Sequence, residues 1–211
     1  MRKRAGFKAR LENYSGRDEI ERADLERVVA LLALEDPFAR SLPLHLTGSA
    51  VVLDPEARRV LLRWHERQGS WLQVGGHGDP GESDPFVVAM REAAEETGLA
   101  DVRLWPGSGS ETNEGTDAAG GTCSTRAPPG EEPVSPEITH LVIVPVPARG
   151  EEPAHEHADV RYLLATKCPA SVVPESDSAP LCWVGIEEAI ATVEPNLAET
   201  LSRVAELLQR L

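Results

Sequence analysis

The sequence predicts an α/β fold in which a mixed β-sheet lies between two layers of helices. Strand-length apolar segments joined by short turns fill much of the first half of the chain, and amphipathic helical patterns lie near both ends. Between them, a capped helix follows closely on a strand, and this mixture of elements is typical of a sheet covered by helices. A chain of 211 residues is long enough for one well-buried domain and short for two.

The N-terminal region divides into a tail and a first helix. Five of the first ten residues are basic, and no apolar helical stripe follows before Gly16, so residues 1–16 are predicted to be a frayed tail; an arm that binds nucleic acid is the alternative. The single domain then spans 17–211. Its first helix runs from Asp18 to about Glu35, and Asp36-Pro37 ends it. The apolar face of this helix packs either on the sheet or on a second copy of the chain, which leaves a homodimer open.

The remaining elements follow in order along the chain. Strands are predicted at 45–53, 60–65, 71–74, 102–105, 138–146, 160–165 and 181–185. Residues 107–135 are rich in Gly, Ser, Thr, Glu and Pro, which predicts a flexible insertion; a lid over the functional site is the sharper alternative. A short helix at 186–193 precedes a terminal helix with an apolar stripe formed by Leu197, Leu201, Val204, Leu208 and Leu211.

The central helix is bracketed by strong local signals. Asp84 is suited to cap its N-terminus, Pro85 to occupy its first position, and Gly98 to adopt the left-handed conformation that ends it. The helix is therefore predicted to span 85–97. Its packing stripe is assigned by helical spacing to Val87, Met90, Ala94 and Thr97.

The same helix carries a cluster of carboxylates. Glu92, Glu95 and Glu96 stand at i, i+3 and i+4, so they project together, and like charges in this arrangement repel one another. Carboxylates gathered in this way suit Mg²⁺ or Mn²⁺. A solvated acidic face is the simpler interpretation of the triplet alone.

The residues around the cluster favour a site. Gly75 and Gly76 follow a strand and permit backbone to approach a ligand or an ion closely. Arg91 lies beside the carboxylates and is able to fix one of them with its forked guanidinium group.

The stretch from 75 to 99, GGHGDPGESDPFVVAMREAAEETGL, resembles the signature of the Nudix hydrolase family. That signature is Gly, five residues, Glu, seven residues, then Arg-Glu-aliphatic-any-Glu-Glu-any-Gly-aliphatic. The matching residues are Gly76, Glu82, Arg91, Glu92, Glu95, Glu96, Gly98 and Leu99. Two departures stand out: eight residues separate Glu82 from Arg91, and small Ala93 occupies the first aliphatic position. We expect the extra residue to lie at 83–85, in the segment that leads into the helix. There it affects the role of Glu82 and leaves the helical carboxylate cluster intact.

The resemblance implies a Nudix α/β/α sandwich and a metal-dependent hydrolase. Such an enzyme cleaves the pyrophosphate linkage of a nucleoside diphosphate derivative, such as a nucleoside triphosphate or ADP-ribose, by attack of a metal-activated water. It further implies Mg²⁺, or Mn²⁺, held by Glu95, Glu96 and the Gly75 carbonyl. Glu92 is then the base or a further ligand, and Arg91 orients it. Gly76, Glu82, Gly98 and Leu99 complete the motif as structural residues, with a contribution to the metal site as the alternative role of Glu82.

A second polar stretch leads into the strand at 160–165. On an extended chain His155, His157, Asp159 and Arg161 point to one face. They are candidates for a second metal position or a phosphate contact, although ordinary solvated residues are the favoured interpretation.

Composition narrows the choice of partner. Lys and Arg number 21 against 35 Asp and Glu, a net charge of −14, which argues against general binding to nucleic acid. No apolar run has the length of a membrane span, and no signal core follows the basic start. We therefore expect a cytoplasmic protein, and the resemblance implies that its partner is a small nucleotide substrate. Its three cysteines lack metal-type spacing and are predicted to be free thiols.

Other functions stay open at this point. The first is a catalytically inactive Nudix-fold module that senses a nucleotide, although the intact carboxylates argue against it. The second is an unrelated helix-and-sheet protein with a solvated acidic face. An isomerase of prenyl diphosphates is disfavoured because no cysteine lies near the motif.

Overall fold

The computed structural model describes residues 2–105 and 136–210. Within them the chain forms five α-helices and eight β-strands. The helices are α1 (Arg2–Glu12), α2 (Glu19–Leu31), α3 (Pro85–Thr97), α4 (Ile186–Thr192) and α5 (Pro195–Leu208). The strands are β1 (Leu44–Asp54), β2 (Arg59–His65), β3 (Ser70–Leu72), β4 (Val74–His77), β5 (Arg103–Leu104), β6 (His140–Val146), β7 (His155–Ala165) and β8 (Leu181–Gly185).

Strand β1 is the centre of a mixed sheet. It pairs parallel with β7 along its whole length, from Leu44 opposite Glu156 to Leu53 opposite Ala165. It pairs antiparallel with β2 and with β4. The other neighbours are all antiparallel: β5 and β6 add to β7, and β3 and β8 add to β2. The predicted mixed sheet is confirmed.

Helices cover both faces of this sheet. Because side chains alternate along a strand, Ala50 and Val52 of β1 face one core and Val51 and Leu53 face the other. The first core is completed by residues of α1, α2 and α3, and the second by residues of α4 and α5. This confirms the predicted arrangement of helical layers on a sheet.

The bounds of α3 are those that its capping residues predict. Asp84 accepts a hydrogen bond from the amide of Phe86, and Gly98 has a φ of 66°, which a residue with a side chain rarely adopts. The predicted packing stripe was wrong in part: Thr97 is buried and Met90 packs against the core, but Val87 is only half-buried. The buried face is formed by Val88, Ala89, Ala93, Glu96 and Thr97, and Ala94 is exposed. Apolar residues lie on more than one side of this helix, so contacts with the sheet decide its rotation.

The N-terminal residues are not a frayed tail, and that prediction was wrong. Helix α1 buries Phe7 completely and leaves Leu11 only 3% exposed. Arg10 pairs with Asp84, the residue that caps α3. Two apolar residues at i and i+4 among basic neighbours are too few to mark a helix in the sequence, and their burial depends on contacts with α3 and the sheet.

A buried ion pair joins α2 to α5. Glu21 and Arg203 are 3% and 6% exposed, and their side chains meet through two hydrogen bonds of 2.7 and 3.0 Å. Tyr14 and the amide of Arg17 also donate to Glu21. Burial alone would raise the pKa of Glu21, but these donors outweigh it and lower the pKa to about 2. Helix α2 thus packs within its own domain, one of the two packings predicted for it.

Other predicted segments differ in detail or lie outside the described residues. The strand predicted at 71–74 is divided between β3 and β4, and β7 begins at His155 rather than at 160 because it pairs with β1 there. The predicted insertion at 107–135 lies outside the described residues, as does Cys123. Cys168 is disulfide-bonded, so the prediction of a free thiol was wrong there, whereas Cys182 is free and exposed. None of the helices in the described part of the chain combines the length and apolar composition that a bilayer crossing needs.

The role of α1 is testable by removing its buried aromatic ring. We expect Phe7→Ala to lower the free energy of unfolding by about 3–5 kcal/mol, because a fully buried ring leaves a cavity. Ile20→Ala is the control, since Ile20 is 75% exposed and its loss should cost at most about 0.5 kcal/mol. Denaturant unfolding measures both. Equal small effects of the two substitutions would mean that α1 does not contribute to the core.

Candidate functional site

The candidate site lies where α3 passes β4. A Cβ atom on Gly76 would lie 2.5 Å from Oε1 of Glu92, so a glycine is needed there to leave room for the carboxylate. Gly75 has a φ of 149°, a conformation that favours glycine, and its amide donates to Oε2 of Glu96 at 3.0 Å. The glycine pair therefore brings strand backbone against two of the three clustered carboxylates.

Arg91 is the cation at the centre of the motif. Its Nη1 donates to Glu92 and Glu95, both at 2.9 Å, and its Nη2 donates to the carbonyl of His77 at 2.9 Å. Its Nε and Nη2 donate to the two carboxylate oxygens of Glu82 at 3.2 and 3.1 Å. These hydrogen bonds, with that of Glu82 first, raise the pKa of Arg91 above its ordinary value. The guanidinium thus connects α3 to the loop that precedes it.

Glu82 is held within that loop. Besides its bond with Arg91, its carboxylate accepts the amide of Asp79 at 2.8 Å. Ser83 and Asp84 connect this loop to Pro85, the first residue of α3. The three helical glutamates keep their spacing at i, i+3 and i+4.

The three glutamates differ in exposure. Glu96 is 8% exposed as a residue, whereas the side chain of Glu95 is 57% exposed. Burial raises the pKa of Glu96 from 4.5 to about 7, despite the Gly75 amide and the nearby Arg63. Burial also raises the pKa of Glu92, and Arg91 opposes this.

The donor set fits a divalent cation that prefers oxygen ligands. Glu92 is half-buried and Glu96 is buried, so ionisation of either carboxylate is costly here. A cation bound beside them would offset that cost. Glu95 lies on the same helix face and the Gly75 carbonyl on the adjoining strand. Carboxylate and carbonyl oxygens are the ligands that Mg²⁺ and Mn²⁺ prefer.

A polar cleft of about 180 Å³ borders Glu96 and contains residues that the sequence did not single out. Arg63 on β2 has its Nε 3.2 Å from Oε1 of Glu96, without hydrogen-bond geometry, and Gln73 donates to Asp159 at 3.2 Å. The signal for Arg63 was weak: one basic residue at an alternating position in an apolar strand.

Asp159 and Arg161 are brought together at the cleft and satisfy each other. They are 4% and 2% exposed, and Nε of Arg161 donates to Asp159 at 2.8 Å. The other guanidinium nitrogens bond Asn196 and Thr200 of α5, and Asp159 accepts two hydroxyls of β1. Burial opposes ionisation of Asp159, but Arg161 and these hydroxyls lower its pKa. These contacts favour a structural role, the docking of α5 onto the sheet.

His157 lines the same cleft as Asp159 and Arg161, and together with His155 it belongs to a cluster with two further histidines. Their neighbours are His45 of β1 and His77 of β4, and five pairs of rings in the cluster have centroids 4.7–5.4 Å apart. Burial, followed by the neighbouring histidines, lowers the pKa of His77 to about 3 and that of His157 to about 4. Sequence reasoning missed His45 and His77 because the strand register that brings them to His157 is not visible locally.

Known proteins are similar to this chain in sequence pattern and in fold. A model of the NUDIX domain matches residues 43–205. The chain is similar to a binary complex of the C. elegans Ap4A hydrolase, with 16% identity and a TM-score of 0.52, over 79% of this chain and 98% of that one. It is also similar to the E. coli dihydroneopterin triphosphate pyrophosphohydrolase, with 14% identity and a TM-score of 0.51, over 81% and 97%. At these identities both structures show a shared fold. No curated protein matches the sequence.

The raised pKa of Glu96 predicts a pH-dependent stability of the protein in chelator. Because the folded pKa of about 7 exceeds the ordinary 4.5, the folded state binds the proton more tightly, and stability is lost as pH rises between these values. Glu96→Gln removes this loss, so at pH 8 we expect it to raise the free energy of unfolding by about 1–3 kcal/mol. The advantage should vanish near pH 4.

The measurement is urea unfolding across this pH range. Glu95→Gln is the control, since its exposed side chain should change stability by less than about 1 kcal/mol at any pH. An advantage of Glu96→Gln that did not depend on pH would contradict the assignment.

The structural role of Asp159 predicts a large loss of stability on neutralisation. We expect Asp159→Asn to lower the free energy of unfolding by about 3–5 kcal/mol, because it leaves Arg161 charged, buried and unpaired. Glu156→Gln on the same strand is the control: it breaks a half-exposed pair with Arg27 and should cost less than about 1 kcal/mol. Similar midpoints of thermal unfolding for the two variants would argue against a structural role.

Proposed function

The chain belongs to the Nudix family, and from this premise we propose that it is a metal-dependent hydrolase of the pyrophosphate linkage in a nucleoside diphosphate derivative. The observation that carries the proposal is the placement of Glu92 and Glu96 against the glycine pair of β4, which lines a polar cleft together with Glu96. Arg91, Glu92, Glu95 and Glu96 keep the residue types of the family signature.

The ion would be Mg²⁺ or Mn²⁺, held by Glu95, Glu96 and the Gly75 carbonyl, with Glu92 beside them. A divalent ion bound there would neutralise charge on the phosphoryl oxygens and lower the pKa of the attacking water. The burial of Glu96 supports its role as a ligand, since an ionised carboxylate that is poorly solvated gains most from a cation.

Glu92 is the proposed base. Its pKa is raised by burial, which makes it a better proton acceptor than an exposed carboxylate, and its carboxylate packs against Gly76, which lines the cleft. Arg91 orients it through a hydrogen bond of 2.9 Å. The same guanidinium holds Glu82, so Glu82 acts in the proposal through the geometry of the loop and not on the reacting groups.

The substrate is proposed only as a class. The two similar structures are named for hydrolysis of Ap4A and of dihydroneopterin triphosphate, and with identities of 14–16% they support the fold and neither compound in particular. A nucleoside triphosphate, ADP-ribose or a similar small nucleotide fits the proposal. With a net charge of −14, the protein would favour a phosphate substrate that arrives with its divalent ion, and Arg63 offers a local positive charge in the cleft.

The second candidate is an inactive module that binds a nucleotide without turnover. The intact carboxylate cluster argues against it, because loss of those groups is the simplest route to inactivity. The cytoplasmic location and the homodimer considered from the sequence stay predictions.

The proposal predicts divalent-ion-dependent turnover that is lost in Glu96→Gln. Purified protein is incubated with Mg²⁺ or Mn²⁺ and a panel of nucleoside triphosphates, dinucleoside polyphosphates and ADP-ribose. Product is followed by phosphate release with and without added pyrophosphatase and phosphatase, which identifies the bond that breaks. We expect the variant to lose at least about 100-fold in turnover, since stabilisation worth several kcal/mol is removed.

Glu187→Gln is the matched control, because Glu187 is an exposed glutamate in the first turn of α4, outside the site. It should retain full turnover. Unchanged turnover in Glu96→Gln would overturn the site assignment. Nucleotide binding that raises the melting temperature, with no turnover of any substrate, would support the sensing module instead.

A further inference from the structure

Four histidines from three strands meet at one end of the sheet. The register places His45 of β1 opposite His157 of β7, and His77 of β4 opposite Thr47, two residues along β1. Nitrogen atoms of His45, His155 and His157 that are able to bind a metal lie within 4.8 Å of one another. The Nε2 atom of His157 is 3.1 Å from Nε2 of His155 and 3.1 Å from Nε2 of His77.

Hydrogen bonds among the four rings cannot satisfy all of these closely spaced nitrogen atoms. In a neutral imidazole, Nε2 carries either one hydrogen or one lone pair, so it makes only one good hydrogen bond. Nε2 of His157 has two ring nitrogens 3.1 Å away, so one of these contacts lacks a good hydrogen bond. His45 is 1% exposed, and its Nε2 is buried without a hydrogen-bond partner among the described residues. A buried nitrogen without a partner is costly and calls for one, such as a water, a ligand or an ion.

Backbone carbonyls fix the tautomers of two of the rings. Nδ1 of His45 lies 3.1 Å from the carbonyl of Leu42, and Nδ1 of His155 lies 3.0 Å from the carbonyl of Pro153. A carbonyl only accepts, so each Nδ1 carries the hydrogen and each neutral ring has its lone pair on Nε2. Histidines that bind metals commonly donate their second ring N–H to a carbonyl in this manner.

The geometry points to a transition-metal site in this cluster, of the Zn²⁺ class, with His45, His155 and His157 as ligands and Nε2 of His77 as the fourth. Tetrahedral ligands at 2.0–2.1 Å from zinc are separated by about 3.3 Å, close to the two nitrogen separations of 3.1 Å. Imidazole nitrogen suits Zn²⁺, Co²⁺ or Ni²⁺ and is a poor ligand for Mg²⁺, so this site differs in chemistry from the carboxylate cluster of α3.

An ion in this cluster would connect β1, β4 and β7. Strand β4 also carries Gly75 and Gly76, and the carbonyl of His77 accepts a hydrogen bond from Arg91. The ion would therefore fix the strand against which α3 packs. This inference goes beyond the proposed hydrolase and does not depend on it.

Cobalt absorption tests the site without a substrate. Protein without an affinity tag is stripped with chelator, dialysed, and titrated with Co²⁺ in the presence of excess Mg²⁺, which occupies oxygen-ligand sites. We expect visible absorption typical of tetrahedral Co²⁺ that saturates at one equivalent and disappears on addition of Zn²⁺. No such absorption in the wild-type protein would overturn the proposal, whatever the variants do.

Two ligand variants and two controls complete the test. His155→Ala and His157→Asn, each checked for folding by circular dichroism, should weaken Co²⁺ binding by about tenfold or more. His65→Gln removes a histidine of β2 outside the cluster and should retain the absorption, as should Glu96→Gln. Absorption that persisted unchanged in both ligand variants would overturn the assignment.

A thermal measurement provides an independent readout. With Mg²⁺ constant, Zn²⁺ should raise the melting temperature of the wild-type protein and of Glu96→Gln, because an ion bound only to the folded state stabilises it. The shift should be lost in His155→Ala. Since Glu96→Gln is expected to lose turnover and keep the cobalt absorption, failure of the hydrolase proposal and failure of the histidine site give different results.

Discussion

The close approach of α3 to the sheet is the constraint on which the candidate site depends. A Cβ atom on Gly48 of β1 would lie 2.2 Å from the carbonyl oxygen of Pro85, and one on Gly76 of β4 would lie 2.5 Å from Glu92. With larger residues at these positions the helix would be held away from the strands. The carboxylates of Glu92 and Glu96 would then lie in solvent, where their pKa values would be ordinary, and they would no longer lie against the backbone of β4.

Arginines connect the elements that surround this contact. Arg10 joins α1 to the cap of α3, Arg91 joins α3 to its preceding loop, Arg161 joins β7 to α5, and Arg203 joins α5 to α2. Each of them has a carboxylate partner, and such pairs are strongly destabilising to break when they are buried. These four arginines place positive charge at internal junctions of an acidic protein, and Arg63 lies in the cleft between Glu96 and Glu175.

The two candidate ion sites follow from different donor chemistry on neighbouring strands. Oxygen donors gather on α3 and Gly75, where a hard divalent ion suits them, and imidazole nitrogens gather at the end of β1, β4 and β7. Strand β4 contributes to both, through Gly75 and His77. Because Gly75 and His77 lie close together on this short strand, a shift of the strand would move a candidate ligand in both ion sites.

The sequence by itself determined the features that local patterns carry. Caps at Asp84 and Gly98 bounded α3, alternation located most strands, and the spacing of Glu92, Glu95 and Glu96 grouped the carboxylates, because these signals lie within a few turns or residues. The roles of these glutamates remain proposals. Tertiary structure alone decided which side of α3 is buried, that α1 packs on the core, and that His45 and His77 join His157. Those outcomes depend on strand register and on contacts between residues distant in the chain, such as Arg10 with Asp84, and no local periodicity records them.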